Sequence, residues 1–321
     1  MRRSWLYALG LALVGFCGTA HAQAWPTKPL RVIVAFTPGS ATDIIARTLS
    51  DRLSAQLGQP VVVENRPGAS GTIGAAAVAK AEPDGHTILV NSSSHTVAPS
   101  TYASLPYDTA RDLAGITPLG NLPSVLVIAP SKGIRSVGEL VAAAKAKPGS
   151  MNYASGGAGS AAQLNAERFR LSAGFEAVHV PFKGAPEALT EVMTGRVDFY
   201  FCPIPPALSL LKEGRLLAIA VGSAKRASIL PDVPTTVEAG FANSDYNFWV
   251  GMFVPGKTPR EIVDRLHQET IRAMQTPEVS QRLTRLGAER MTMTPEQFDA
   301  YIRDEIAANA ALVKAAGIKA N

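Results

Sequence analysis

The sequence predicts an α/β fold divided into two lobes, each a mainly parallel sheet flanked by helices. Short apolar runs alternate with helical patterns almost from end to end, which is typical of parallel sheets covered on both faces. Nine such runs are many for one sheet, so we expect two domains. The predicted strands span residues 30–36, 60–64, 86–91, 125–129, 151–154, 177–182, 197–201, 216–221 and 248–254.

Residues 1–22 predict a secretory signal peptide. Arg2 and Arg3 form a positive start, residues 5–17 are an apolar run, and Ala-His-Ala at 20–22 offers a small-x-small cleavage site. The run is too short to span a bilayer. A lipid anchor on Cys17 is not expected, because the bulky Phe16 stands where a small residue is needed. Arg2 and Arg3 match the start of a twin-arginine signal, but the rest of that motif is missing. We therefore expect a soluble periplasmic chain that begins at residue 23.

Charge and cysteine content exclude several classes of protein. The formal net charge is +5, and removal of Arg2 and Arg3 leaves +3, with no basic cluster of the kind that binds nucleic acid. Cys202 alone remains after cleavage, so no internal disulfide is expected. Stability must then come from the apolar core, in which Cys202 is expected to be a small buried residue.

The helical segments carry clear start and stop patterns. Apolar residues at 44, 45, 49, 53 and 57 share one face of the first helix, and Gly58 is expected to end it. Capping boxes are predicted at 136–139, 258–261 and 294–297, the last two with proline at the first helical position.

The chain is expected to pass between the lobes near residues 121–125 and 247–250. Lobe one then comprises residues 23–122 with 250–321, and lobe two comprises residues 123–249. Ligands of open parallel sheets bind beyond the carboxyl ends of the strands. The site is therefore expected in a cleft between the lobes.

The segments at these strand ends are rich in glycine, serine and proline. They span residues 37–43, 92–96, 155–160, 183–186 and 203–206. Three of them lead into helices, near Ala41, Ser160 and Pro186, whose N-terminal N–H groups suit a carboxylate or a phosphate. Each segment alone could equally be an ordinary loop. Asp43 either orients a ligand amine or hydroxyl or caps its helix, and Lys183 is either a ligand cation or an exposed loop residue.

The sequence does not support nucleotide binding, hydrolysis or metal binding, because the matching motifs lack the required neighbouring residues or are absent. Residues 251–258 match the phosphate-loop pattern, but their middle is apolar and Pro255 has no N–H. Residues 157–162 match a dinucleotide element, but the next strand does not end in an acidic residue. No serine lies in a G-x-S-x-G elbow, and the histidines lack metal-ligand spacing. We expect no enzyme activity, no cofactor and no metal; a secreted enzyme with an unrecognised site is the alternative.

Motifs along the whole mature chain are similar to those of one family. They include Trp-Pro-Thr-Lys-Pro-Leu-Arg at 25–31, Phe-Thr-Pro-Gly at 36–39, and Gly-Gln-Pro-Val-Val-Val-Glu-Asn-Arg-Pro-Gly at 58–68. His-Val-Pro-Phe-Lys-Gly at 179–184 and Leu-Pro-Asp-Val-Pro-Thr at 230–235 follow. On these residues the chain resembles the substrate-binding proteins of tripartite tricarboxylate transporters, the Bug family.

The resemblance implies a periplasmic-binding-protein fold that closes on a small carboxylate and delivers it, as a monomer, to a membrane permease or a sensor protein. The ligand is expected to be held largely by backbone N–H groups and water. Thr37-Pro38-Gly39-Ser40 replaces the family's Pro-Pro-Gly-Gly, and Gln163 stands where many members have histidine, so the ligand's identity stays open. The ligand-binding residues implied are Phe36, Pro38, Gly39, Ser40, Ala41, Thr42, Asp43, Ser93, His95, Ser155, Gly157, Gly159, Ser160, Gln163, Phe182, Lys183, Gly184 and Ala185.

Overall fold

The computed structural model describes residues 25–319, so the predicted signal peptide lies outside the described residues. Two five-stranded sheets form the two lobes, in the orders β2-β1-β3-β10-β4 and β7-β6-β8-β5-β9. The strands are β1 Leu30–Val34, β2 Val61–Asn65, β3 Thr87–Ser92, β4 Leu113–Asn121, β5 Ser124–Ile128, β6 Asn152–Ser155, β7 Val178–Pro181, β8 Phe199–Pro203, β9 Leu217–Val221 and β10 Trp249–Pro255.

Each sheet has one strand that opposes the other four. In the first sheet β1 is parallel to β2 and β3, whereas β10 is antiparallel to β3 and β4. In the second sheet β6 is parallel to β7 and β8, whereas β5 is antiparallel to β8 and β9. The opposed strands, β5 and β10, are those by which the chain enters a lobe from the other one. The remaining strands therefore end at the cleft.

Helices cover both faces of each sheet. Along β1, Leu30, Val32 and Val34 pack into one apolar cluster and Ile33 packs into another, as expected for a strand buried on both faces. Among residues 25–319, no helix is long and apolar enough to cross a bilayer. The helices are α1 Ala41–Leu57, α2 Thr72–Ala79, α3 Ser94–Thr101, α4 Val137–Ala146, α5 Ala161–Ala173, α6 Ala185–Met193, α7 Ile204–Lys212, α8 Arg260–Gln275, α9 Pro277–Arg285 and α10 Pro295–Ala316.

Most local predictions are confirmed, with three corrections. Ser136 caps α4, but the predicted capping box is incomplete, because Glu139 Oε2 accepts from the Arg135 N–H and not from the Ser136 N–H. Gly58 ends α1 in the left-handed conformation, and Thr294 forms the predicted capping box with Gln297. Thr258 does not cap α8, because that helix begins at Arg260 and Pro259 occupies the N-cap position. Strand β4 was not predicted: its glycines and proline indicate a loop, yet it pairs at the edge of the sheet, where a proline lacking an N–H is tolerated. The residue limits of the lobes stay a prediction.

Candidate functional site

The turn between β1 and α1 is held by reciprocal hydrogen bonds. Gly39 has φ 78°, and Ser40 is the N-cap, whose Oγ accepts a hydrogen bond from the Asp43 N–H at 3.4 Å. Asp43 Oδ2 in return accepts from the Gly39 N–H at 2.9 Å. Asp43 Oδ1 accepts from Arg47 Nε at 2.9 Å and from Asn65 Nδ2 at 2.8 Å. Both carboxylate oxygens of this buried residue therefore bind groups of its own lobe, which favours the capping interpretation of Asp43.

The turn between β6 and α5, in the other lobe, has the same construction. Gly159 has φ 76°, and the N-cap Ser160 accepts through Oγ from the Gln163 N–H at 3.3 Å. Gln163 Oε1 accepts from the Gly159 N–H at 2.7 Å. Gln163 thus occupies the place of Asp43, and the spacing Gly-Ser-Ala-x-Asp in one lobe corresponds to Gly-Ser-Ala-x-Gln in the other. That shared spacing is a sequence signal for the pairing of the turns.

The two turns border one small space, which we call the inner cavity. Its volume is about 30 Å³, enough for one or two water molecules. The serine caps bind the third N–H group of each helix, so the N–H groups at the first two positions of α1 and α5 are the ones that can serve a ligand anion. Of these, the Ala161 N–H donates to Ser94 Oγ of lobe one at 2.9 Å. The lining residues are Phe36, Ser40, Ala41, Thr42, Ser92, Ser94, Gly156, Ser160, Ala162, Ala185, Tyr200, Pro203 and Phe248.

A second space, the outer cavity, adjoins the first and has a volume of about 230 Å³. Phe36 and Gly156 line both cavities, so this aromatic ring lies at their boundary. Lys183, exposed at the start of the loop before α6, is the one charged residue among the lining residues of the two cavities. The outer cavity is lined by Phe36, Gly68, Ala69, Ser70, Gly71, Tyr102, Gly156, Gly157, Ala158, Phe182 and Lys183.

The predicted ligand residues fall into three groups. Those that line a cavity are Phe36, Ser40, Ala41, Thr42, Gly157, Ser160, Phe182, Lys183 and Ala185. Others lie in or next to the same turns without lining a cavity: Pro38, Gly39, Asp43, Ser155, Gly159, Gln163 and Gly184. The last two, Ser93 and His95, are fully buried next to the lining residues Ser92 and Ser94.

His95 is turned away from the cleft. Its side chain is 1% exposed, and its ring centroid lies 4.5 Å from that of Phe253 in the core of lobe one. Burial lowers the pKa of His95 to about 3, so the ring is neutral at physiological pH. A neutral imidazole packed on a core aromatic ring does not offer a cation to a ligand carboxylate.

Ser155 and His179 form the one serine–histidine contact near the cleft among the described residues. Ser155 Oγ and His179 Nε2 are 2.6 Å apart, but the same hydroxyl donates to the Gly157 carbonyl and accepts from the Gly157 N–H. Burial lowers the pKa of His179 to about 4, which makes it a weak general base at neutral pH. The serine is fully buried. The pair is therefore placed to hold the Gly157 turn.

Several lining residues were not predicted from the sequence. Tyr200 and Phe248 lie in apolar runs, where nothing local distinguishes a cleft residue from a core residue. The segment 68–71 follows the Arg-Pro motif noted above and contains two glycines, which was the available signal for a close backbone approach. Within residues 25–319, no cluster of three or more metal-ligating side chains is present.

Comparisons with known proteins agree with this architecture. Residues 45–318 match the protein family described as the tripartite tricarboxylate transporter family receptor. The chain is 35% identical to Protein BugT of Bordetella pertussis over 311 residues, which cover 96% of this chain and 95% of BugT.

Solved structures extend the comparison to the fold. Rpa4515 of R. palustris with adipate superposes with a TM-score of 0.88 at 32% identity, covering 92% of this chain and 99% of that one. MatC from Rhodopseudomonas palustris with bound malate superposes with a TM-score of 0.85 at 30% identity, covering 90% of this chain and 100% of that one. The predicted two-lobed periplasmic-binding-protein fold is confirmed. The chain belongs to the family of receptors of tripartite tricarboxylate transporters.

Proposed function

We propose that this receptor captures a small carboxylate in the periplasm and delivers it, unchanged, to the membrane permease of a tripartite transporter or to a sensor protein. The observation that carries the proposal is the pair of matched turns, which place two helix N-termini at one cavity. Helix N-termini combine free N–H donors with a partial positive charge. The structural neighbours with adipate and malate support a carboxylate as the ligand class.

The ligand carboxylate is assigned to the inner cavity, near the N–H groups of Thr42 and Ala162. The inner cavity alone is too small for a whole ligand, so the rest of the molecule extends past Phe36 into the outer cavity. Lys183, the one charged lining residue, can bind a second anionic group there. In this proposal Gly39, Asp43, Gly159 and Gln163 shape the turns, and most ligand contacts are made by backbone.

A thermal-shift screen followed by calorimetry tests the ligand class. Mono-, di- and tricarboxylates are compared with their uncharged amides, for example adipate with adipamide, which has the same carbon skeleton without the charge. A bound ligand raises the melting temperature by mass action. We expect carboxylates, and not the amides, to raise the melting temperature, and calorimetry should give a micromolar Kd for the best carboxylate. Stabilisation by neither set, or equally by both, would contradict the proposal.

The absence of chemistry is tested separately. The protein is incubated with its best ligand, and the mixture is analysed by mass spectrometry, with the Ser155→Ala variant as a control for the serine–histidine pair. We expect the ligand to be recovered intact in both. A product that forms with the parent protein and not with the variant would establish an enzyme.

Lobe closure is the third component of the proposal. We assign the hinge to residues 121–125 and 247–250, with lobe one at 23–122 and 250–321 and lobe two at 123–249, because two chain passages between lobes allow a hinge motion. Small-angle scattering should show a monomer whose radius of gyration falls on addition of ligand. An unchanged radius would indicate a rigid site or a different division of the chain.

Export is proposed from the first 22 residues. Positive, apolar and small-x-small segments in this order support cleavage after Ala22. N-terminal sequencing of the protein from a periplasmic extract should begin at Gln23. Intact Met1 in that fraction would contradict the cleavage site.

A further inference from the structure

The segment between β2 and α2 contains an unusual left-handed turn, which we call the 68–71 turn. Gly68, Ala69, Ser70 and Gly71 have φ values of 131°, 46°, 53° and 95°. Positive φ is costly for residues other than glycine, and two of these four residues are alanine and serine. Strained backbone of this kind persists only where surrounding contacts hold it, and it clusters at functional sites.

One contact of the turn reaches across the cleft. Ser70 Oγ donates a hydrogen bond to the carbonyl of Ala158 in lobe two at 2.7 Å, and Ser70 is 5% exposed. Lobe two has a glycine directly beneath it: a Cβ on Gly157 would lie 2.6 Å from Ser70 Oγ. The Tyr102 hydroxyl points at the same carbonyl from 3.4 Å. Ser70 therefore fits into a place that a side chain at residue 157 would occupy.

Other contacts between the lobes have the same character. Ser94 Oγ of lobe one accepts from the Ala161 N–H of lobe two, and a Cβ on Gly159 would lie 2.7 Å from Thr101 Oγ1 of lobe one. Hydroxyl side chains of lobe one thus pack on the glycine-rich segment of lobe two. These contacts exist only while the lobes are together, so each adds to the stability of the closed arrangement.

We propose that Ser70 is a positioning residue that sets the ratio of closed to open receptor, and through it the affinity for every ligand. The inference rests on the proposed function, since it concerns the closure that follows carboxylate capture. When only a fraction of the protein is closed, the apparent Kd equals the Kd of the closed form divided by that fraction. Loss of one neutral hydrogen bond should therefore weaken binding about two- to tenfold.

The variants Ser70→Ala and Ser70→Gly test the proposal by calorimetry against several carboxylates. Both lack the hydroxyl, but glycine also relieves the positive φ, so the two separate the hydrogen bond from the backbone strain. We expect both to bind more weakly, by a factor that is the same for each ligand. Ser50→Ala is the matched control, because its hydroxyl bonds within α1 to the Arg47 carbonyl. It should bind like the parent.

Spin labels at Lys147→Cys in lobe two and Arg285→Cys in lobe one provide a readout that does not depend on ligand contact. Both positions are exposed, whereas Cys202 is buried and should not be labelled. At saturating ligand the parent should give one short distance, and Ser70→Ala should add a longer, open component. Without ligand the open component of Ser70→Ala should also exceed that of the parent.

Three results would overturn the role of Ser70. The first is parental affinity in both variants. The second is a loss of affinity that differs between ligands, which would make Ser70 a ligand contact, and the third is parental affinity in Ser70→Gly alone, which would attribute the effect to backbone strain. If the parent protein binds no carboxylate, the proposed function fails, and the ligand-free distances still decide whether Ser70 stabilises closure.

Discussion

The turns before α1 and α5 have nearly the same backbone and different charges. Each joins a left-handed glycine, a serine N-cap and a third-position side chain that accepts from the glycine N–H. In lobe one that side chain is Asp43, and Arg47 four residues later pairs with it at 2.9 Å. In lobe two it is the neutral Gln163, and the residue four positions later is Glu167.

This difference separates two requirements of the site. The backbone geometry needs a hydrogen-bond acceptor at the third helical position, which a carboxylate or an amide supplies equally. The charge of that side chain differs between the lobes. In lobe one Asp43 is an anion, and Arg47 neutralises it. In lobe two Gln163 is neutral, and the nearby Glu167 bonds to Tyr153 and Arg170. Neither turn therefore leaves an uncompensated negative charge beneath the helix N-terminus proposed to hold a carboxylate.

The largest expected effect is at the two glycines. Gly39→Val and Gly159→Val place a β-branched residue at positive φ, which costs about 1–3 kcal/mol. Relaxation of that strain would displace the N–H groups proposed to hold the ligand, so calorimetry should show binding weakened at least about thirtyfold, about 2 kcal/mol. Gly159→Val should weaken binding more than Gly39→Val. A Cβ at residue 159 would clash with Thr101 at 2.7 Å, whereas a Cβ at residue 39 would lie 3.4 Å from Pro186.

Gly58→Val is the matched control for this pair. Gly58 has φ 68° at the far end of α1, and a Cβ there would meet nothing within 4 Å. It should lower the melting temperature about as much as Gly39→Val and leave affinity unchanged. Parental binding by Gly39→Val would show that the ligand is not held at this turn.

Asp43→Asn removes the charge that distinguishes lobe one. Asparagine has one acceptor oxygen, whereas three donors, from Gly39, Arg47 and Asn65, bind the carboxylate. We expect a loss of about 1.5–3 kcal/mol in the free energy of unfolding and weaker binding. Affinity should fall equally for succinate and aspartate, if both bind. A loss confined to the amino acid would instead identify Asp43 as the partner of a ligand amine.

Gln163→Glu gives lobe two the carboxylate of lobe one without its cation. Glutamate can still accept from the Gly159 N–H, but its charge would face Glu167 one helical turn away and the ligand anion nearby. Binding should weaken by about 1 kcal/mol, and the loss should shrink at high salt. Gln163→Met loses the acceptor without adding charge. If it weakens binding while glutamate does not, geometry rather than charge governs this turn.

The smallest effects are expected at the N-cap serines. Ser40→Ala and Ser160→Ala should each cost about 1 kcal/mol of stability, measured by chemical denaturation, because each removes one cap. Backbone donors survive, so affinity should change by less than about threefold in both. A loss of tenfold in one variant alone would identify that hydroxyl as a ligand contact and end the equivalence of the two turns.

Local patterns in the sequence predicted the two sheets, nine of the ten strands and several helix ends, among them both ends of α1 and the starts of α4, α5, α6 and α10. Alternate residues of β1 enter opposite cores, so its continuous apolar run predicted a sheet buried on both faces. Gly58, Ser136 and Thr294 act through hydrogen bonds within a few residues, which explains why their roles could be inferred without the fold. The glycine- and serine-rich strand ends likewise pointed to the cleft.

Only the tertiary structure decided which of these residues meet. Strand β4 forms despite its glycines and proline because β10, far along the chain, pairs with it at the sheet edge. His95 faces Phe253 and not the cleft, a choice made by the packing of α3 on the sheet. Ser70 and Ala158 are 88 residues apart, and their hydrogen bond depends on how the lobes sit together. Short-range hydrogen bonds and burial periodicity are encoded locally, whereas contacts across the cleft depend on the relative positions of the two lobes.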